Sequence, residues 1–196
     1  MLQDKIKIWL AYFMQFLIFI SIIISLFTQE FFYTLAAAVA LIITFLPAMI
    51  RRRWKITLPW TLNLLIVISL YLYAVGLVFG LYGEWYPFYD KFGHFLGSIV
   101  VAFLGFASVI IVDKYSDLNL NKRHIILFII VFTMAIGSFW EIFEFFFDQL
   151  LSRGSQSGLD DTMYDMIFNF FGASLIAIIT NINFRYMKES VLEHNR

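Results

Sequence analysis

The chain has 196 residues, of which 61% are hydrophobic and 14% charged, with a mean hydropathy of +0.81. Soluble domains run near ~45–50% apolar and ~25% charged, so disorder and a soluble globular fold are both excluded. The formal charge is zero and cysteine is absent, which removes disulfides, thiolate metal sites and cysteine nucleophiles. The length suits a single integral membrane domain over residues 1–196, without room for a second, soluble one.

A helix needs roughly 20 apolar residues to cross a bilayer. Six stretches qualify, at approximately residues 8–27, 31–50, 58–81, 92–112, 125–147 and 163–182. The runs are continuous rather than alternating, and hydrocarbon tolerates no unpaired backbone, so each is expected to be α-helical. The fold class is therefore an all-α polytopic membrane bundle. The first stretch follows Lys5 and Lys7, but it is long and lacks a small-residue cleavage site. It reads as a retained span. Pro59 suits the start of the third span. Asn63, the most polar side chain of the first three spans, is expected to hydrogen-bond between helices.

Charge sets the expected orientation. With both termini cytoplasmic, twelve of the 14 basic residues lie inside and only Lys91 and Arg153 outside. Nine of the 14 acids fall outside or at the outer span ends. Trp9, Trp54 and Trp60 then mark the inner edge, and Tyr33, Tyr82, Trp85, Tyr86 and Tyr89 the outer one. The expected location is a plasma (inner) membrane. Arg51-Arg52-Arg53 reads as a cytoplasmic-loop marker, and no nucleic-acid partner is expected. His124 and His194 fall in basic segments and read as solvated.

The last three spans gather their ionisable residues at one end. Asp90 and His94, four apart, share a helix face. Gly93 and Gly97 form a small face suited to close helix packing. Glu141, Glu144 and Asp148 form one stripe at spacing 0, 3, 7, and Asp161, Asp165, Asn169 and Gly172 another at 0, 4, 8, 11. Glu141 lies about 24 Å along its span at ~1.5 Å per residue, near the outer hydrocarbon boundary. Burying a carboxylate in lipid costs several kcal/mol, so these faces must meet one another or a water-filled cavity. Lys91, Arg153 and His94 are too few to balance the acids. That imbalance favours a bound cation, a shared proton or both. One His with several carboxylates suits Zn²⁺, Mn²⁺ or non-haem iron, and carboxylates alone suit Mg²⁺ or Ca²⁺. Blander readings stand beside these. Asp160 and Asp161 fit a helix-capping role, Asp148 an exposed loop acid, and Asn169 an interhelical hydrogen bond. Residues 149–159 are polar and glycine-containing, and read either as a lid or as an ordinary outer loop.

Tyr89-Asp90-Lys91-Phe92-Gly93-His94-Phe95, Trp140-Glu141-Ile142-Phe143-Glu144, Ser155-Gln156, Asp161-Thr162-Met163-Tyr164-Asp165-Met166 and Gly172-Ala173 resemble the signature of the YjdF-like bacterial inner-membrane proteins. The resemblance covers about residues 80–180 and implies a small multi-span protein without an established activity. A looser similarity extends to VanZ-like proteins, whose founding member is associated with teicoplanin resistance. That pattern has Asp-Lys-x-x-His-Phe, a Glu followed three later by Gln, and Asp-x-x-x-Asn-x-x-Gly. Glu144 stands where it has Gln, which adds a negative charge and matches the YjdF-like version more closely.

Three functional classes follow. The first is a metal-dependent hydrolase or transferase acting on a lipid or lipid-linked envelope substrate. His94, Glu141 and Asp165 would hold the ion (Zn, Mn, Fe or Mg), Glu144 or Asp161 would act as base, and Lys91 or Arg153 would hold a head-group phosphate. Asp90 and Asn169 would line the site. The second is a non-catalytic scaffold or accessory protein clamped by the same network. The third is a proton- or ion-coupled transporter, against which stands the lack of ionisable residues in the inner half of every span. The oligomeric state has no signature in the sequence.

Overall fold

The structure is a computed structural model that describes residues 2–28, 31–54, 56–151 and 158–193. Helices α1 (Leu2–Phe27), α2 (Phe31–Ile43), α3 (Leu46–Trp54), α4 (Trp60–Val78) and α5 (Leu81–Glu84) are followed by α6 (Phe88–Ser116), α7 (Lys122–Leu151), α8 (Leu159–Ile182) and α9 (Phe184–Glu193). No strand occurs among the described residues. Six candidate spans are long and apolar enough to cross a membrane: Trp9–Phe27, Phe31–Arg53, Trp60–Val78, Phe88–Ser116, Lys122–Leu150 and Leu159–Ile182. The expected number and order of spans hold. The chain divides into two compact units, residues 1–89 with 193–196, and residues 90–192.

In the first unit, α1, α2 and α4 pack on one another around Ile18, Ala37, Ala40 and Ala74. Alanines at the contact let the backbones approach, which is how helices gain dispersion energy where lipid offers no hydrophobic drive. Two hydroxyl-centred bonds link the helices: Thr34 Oγ1 donates to Ser25 Oγ at 2.8 Å, and Gln15 Nε2 to Thr44 Oγ1 at 3.0 Å. The second span, expected as one run over 31–50, is broken at Thr44–Phe45. Pro47 accounts for the break. It has no N–H for the Ile43 carbonyl, and its ring crowds that turn. Thr44 Oγ1 donates to the Leu41 carbonyl at 2.6 Å beside the gap. The third span begins after Pro59, as expected, but ends at Val78. Gly80, at φ +71°, follows as the left-handed residue that ends the helix. Among the described residues Asn63 makes no bond to another helix. Its Nδ2 reaches the Leu58 carbonyl just ahead of its own helix at 3.5 Å, so the expected interhelical bond is corrected to a local one.

In the second unit, α7 and α8 pack along each other. Buried residues of α8 follow its helical repeat through Asp161, Asp165, Asn169, Gly172, Ile176 and Thr180. Phe139, Phe143, Phe146 and Leu150 of α7 are exposed on the opposite side, as a lipid-facing surface requires. All three long helices extend past the expected limits. Helix α6 starts at Phe88, so Tyr89, Asp90 and Lys91 belong to its first turn. Helix α8 starts at Leu159, which places Asp160 and Asp161 inside the helix.

Helix α9 was not foreseen. The tail read only as a basic segment, yet Met187 and Val191 are buried. Asp113, near the end of α6, is the anchor. It is buried, its Oδ1 accepts the Leu120 backbone N–H at 2.8 Å, and its Oδ2 accepts Lys188 Nζ of α9 at 3.3 Å. Lys122 Nζ donates to the Asn181 carbonyl at 3.1 Å close by. Asn121 Oδ1 accepts the His124 backbone N–H at 3.1 Å and so caps α7.

Asp113→Ala removes the acceptor of a backbone amide and of an ammonium. Hydrogen bonds to charged groups are worth ~1.5–3 kcal/mol, and a loss of about that size is expected in equilibrium unfolding in detergent. Lys188→Met, whose nitrogen is partly solvated, should cost less. Equal stability of Asp113→Ala and the parent would refute the anchor.

Candidate functional site

The opening turns of α6 and α8 meet the last turns of α7. Lys91 lies at the centre of the α6–α8 contact, with its side chain only 8% exposed. Its Nζ is 2.9 Å from Asp90 Oδ2 and 2.8 Å from Asp165 Oδ1, and it also bonds Asp161 Oδ1 and approaches the Asp161 carbonyl at 3.4 Å. Asp161 and Asp165 are one turn apart on α8, so both carboxylates face the same ammonium. Their side chains are 3% and 2% exposed. Ionised carboxylates at that depth demand a cation and satisfied lone pairs, and Lys91 supplies the cation and one hydrogen bond to each.

His94 is one turn after Lys91. Its Nε2 is 3.5 Å from Asp165 Oδ1 and 3.7 Å from Asp90 Oδ1, while its Nδ1 is 3.7 Å from Glu141 Oε1. The two ring edges therefore face two carboxylate groups. Asp90, His94 and Asp165 form one set whose ligand atoms all lie within 4.8 Å of one another, and His94, Glu141 and Glu144 form a second. Asn169, also buried, lies beside the imidazole. Its Nδ2 finds no hydrogen-bond acceptor among the described residues.

Glu141 is 5% exposed, and neither of its carboxylate oxygens has a partner in hydrogen-bond geometry among the described residues. Its polar neighbours are His94 Nδ1 and Thr162. A separation of 3.7 Å is too long for a hydrogen bond. It is close to the ~3.4 Å that separates two ligand atoms held ~2.1 Å from a tetrahedral ion. Glu144, one turn on, is half-buried and neighbours Trp140, four residues back on the same face.

The expected set His94, Glu141 and Asp165 is thus divided. Glu141 and Asp165 lie toward opposite nitrogens of the imidazole, and one ion cannot use both edges of a ring. Glu144 takes the third place beside Glu141. Lys91 and Asp161, expected as phosphate holder and as base, are bonded to each other. Asp161 is no helix cap either, since Gly158 occupies that position without a side-chain bond. Asp90, at 16% side-chain exposure, is the most open of the three aspartates on Lys91. Asp160 is exposed on the first turn of α8, and Asp148 is half-buried beyond Glu144. Arg153, Ser155 and Gln156, with most of the expected lid, lie outside the described residues. Trp140 and Thr162 were missed, although their spacing from Glu144 and Asp161 placed them within a turn of the acids.

The expected glycine contact is also corrected. At Gly97 a Cβ would meet nothing within 4 Å, so that residue makes no close helix contact among the described residues. The close approach is at Gly172 of α8, where a Cβ would run into Ser98 Oγ and stand 2.7 Å from the Phe95 carbonyl. Glycine there lets α8 approach α6 closely just below the ion cluster.

A family model described as "Predicted membrane protein (DUF2238)" matches residues 10–186. The chain belongs to that family. An uncharacterized protein of Thermotoga maritima is 31% identical over 123 residues, which make up 62% of each chain. The matched region thus spans less than two thirds of that relative's length. No solved structure matches.

Gly172→Val should force α6 and α8 apart, and overpacking of this kind costs ~1–3 kcal/mol. Denaturant unfolding in detergent checks it. Ser98→Ala in the same chain should recover only part of the loss, because the Phe95 carbonyl remains in the way.

Proposed function

We propose that this protein holds a divalent cation between His94, Glu141 and Glu144, and that the ion serves a hydrolase or transferase reaction on a lipid or lipid-linked envelope substrate. The observation that carries this reading is Glu141: a buried carboxylate without a hydrogen-bond partner among the described residues, 3.7 Å from an imidazole nitrogen. A buried anion with unmet lone pairs is costly, and a metal ion meets that need. His with two carboxylates is a donor set typical of Zn²⁺ or Mn²⁺ sites with an open position.

Each residue then has a task. His94 offers Nδ1 to the ion, and its Nε2 edge faces Asp165 at 3.5 Å and Asp90 at 3.7 Å, where an outer carboxylate stands in many metal sites. Lys91 holds Asp165 and Asp161 in place. Glu141 and Glu144 supply the negative ligands. When bound, the ion would polarise a substrate oxygen and lower the proton affinity of a water molecule. The location supports the substrate class. The cluster lies in the end turns of three spans, the depth of lipid head groups, and the charge bias of the loops favours the outer leaflet of a plasma membrane with both termini cytoplasmic. The resemblance to YjdF-like proteins supports the same residues without adding a chemistry.

The test is elemental mass spectrometry of protein purified without chelator. Near one divalent ion per chain is expected, lost in His94→Ala and in Glu141→Ala, with Asp148→Asn unchanged. The same ion content in all four proteins, or none in any, would overturn the site.

The near-complete burial of Lys91, Asp161 and Asp165 favours a second reading, a scaffold or accessory protein in which the network only clamps α6, α7 and α8. Here Glu141→Ala should lower the thermal midpoint and leave the cellular phenotype of a deletion strain fully complemented. A variant as stable as the parent that fails to complement would refute the scaffold.

A further inference from the structure

At least four oxygens surround the Lys91 ammonium among the described residues: one carboxylate oxygen each from Asp90, Asp161 and Asp165, and the Asp161 main-chain carbonyl at 3.4 Å. An ammonium has three protons, so four acceptors outnumber its donors. Two of the same aspartates, Asp90 and Asp165, also lie 3.7 and 3.5 Å from His94 Nε2. With His94 they form a set of ligand atoms compact enough for a metal ion. The other nitrogen of that imidazole faces Glu141, in the set without an ammonium. Two ligand sets thus flank one histidine, and the Lys91 nitrogen is bonded to both aspartates of the first.

We propose that Lys91 is the built-in cation of a two-cation centre, its ammonium standing among the carboxylates of Asp90, Asp161 and Asp165 in place of a second divalent ion. This rests on the reading of His94, Glu141 and Glu144 as an ion site, but it concerns the other edge of the ring. Three features support it over an ordinary ion pair. The ammonium is ringed by oxygens from two helices rather than matched to one acid. Its side chain is as buried as that of His94. Aspartate is also the residue that a small hard cation selects. A tethered ammonium has a consequence that a metal lacks: no chelator or competing metal can remove it. The centre takes up a single exchangeable ion, and the orientation of His94 persists when that ion is lost.

The test counts ions. Wild type and Lys91→Met, purified in detergent and stripped with chelator, are incubated with excess Mn²⁺, desalted and analysed by elemental mass spectrometry. Wild type should retain near one Mn²⁺ per chain and Lys91→Met near two, with the gain abolished in Lys91→Met/Asp161→Asn. An equal count in wild type and Lys91→Met overturns the proposal. If wild type binds none and Lys91→Met binds one, the reading of the Glu141 side fails while this one stands. Thermal midpoints give a second readout. Lys91→Met should be raised by Mn²⁺ more than wild type is, because the ion replaces a lost charge. A variant that remains unfolded with and without Mn²⁺ counts against the proposal.

Discussion

One ammonium among carboxylates organises the second half of this protein. In a medium of low polarity the alternatives are stark: Asp161 and Asp165 are matched by a cation, or the opening turns of α6 and α8 come apart. Truncating one partner of such a buried group typically costs ~3–5 kcal/mol, a large share of a marginal stability of ~5–15 kcal/mol. The rest of the site follows from that pairing. With Lys91 turned toward α8, His94 one turn later lies between α8 and α7. Glycine at position 172 then lets the two backbones close beneath it.

The two glutamates of α7 stand apart from this arrangement. Lys91 meets aspartates, whereas Glu141 lies beside the imidazole edge, Thr162 and Glu144. A protein that spends burial on an acid without a matching base leaves an unmet demand, and chemistry at such places is the usual reason. A hydrogen-bonded group of aspartates and one buried glutamate without a hydrogen-bond partner among the described residues thus lie on either side of a single histidine.

The parts of this picture differed in how readable they were. Apolar runs revealed the six spans because hydrocarbon imposes length and composition directly. The burial of Asp165, Asn169 and Gly172 on one face of α8 was visible because a helix repeats every 3.6 residues whatever it packs against. What lay beyond local spacing was hidden. Which edge of His94 meets which acid depends on the rotation of α6 against two neighbours, so Asp165 and Glu141 were grouped although the ring separates them. Lys91 read as a holder of a head-group phosphate because its pairing with Asp161 and Asp165 crosses from α6 to α8, which spacing along one helix cannot show. Helix α9 was invisible for a related reason: two buried residues, Met187 and Val191, in a charged tail acquire meaning only once Asp113 is there to receive Lys188.

Helix α6 carries a lysine at one end that seeks acids on α8 and an aspartate at the other that seeks a lysine on α9. The two attachment points are 22 residues apart, about 33 Å at ~1.5 Å per residue, close to the ~30 Å thickness of a bilayer's hydrocarbon core. Bonded at both ends with opposite polarity, α6 behaves as a strut of fixed length. It cannot ratchet by a turn without breaking both pairs together. In a thinner or thicker membrane it must answer by tilting, or by deforming the lipid around it, rather than by sliding. Bilayer thickness would therefore reach the ion cluster as a change in helix angle.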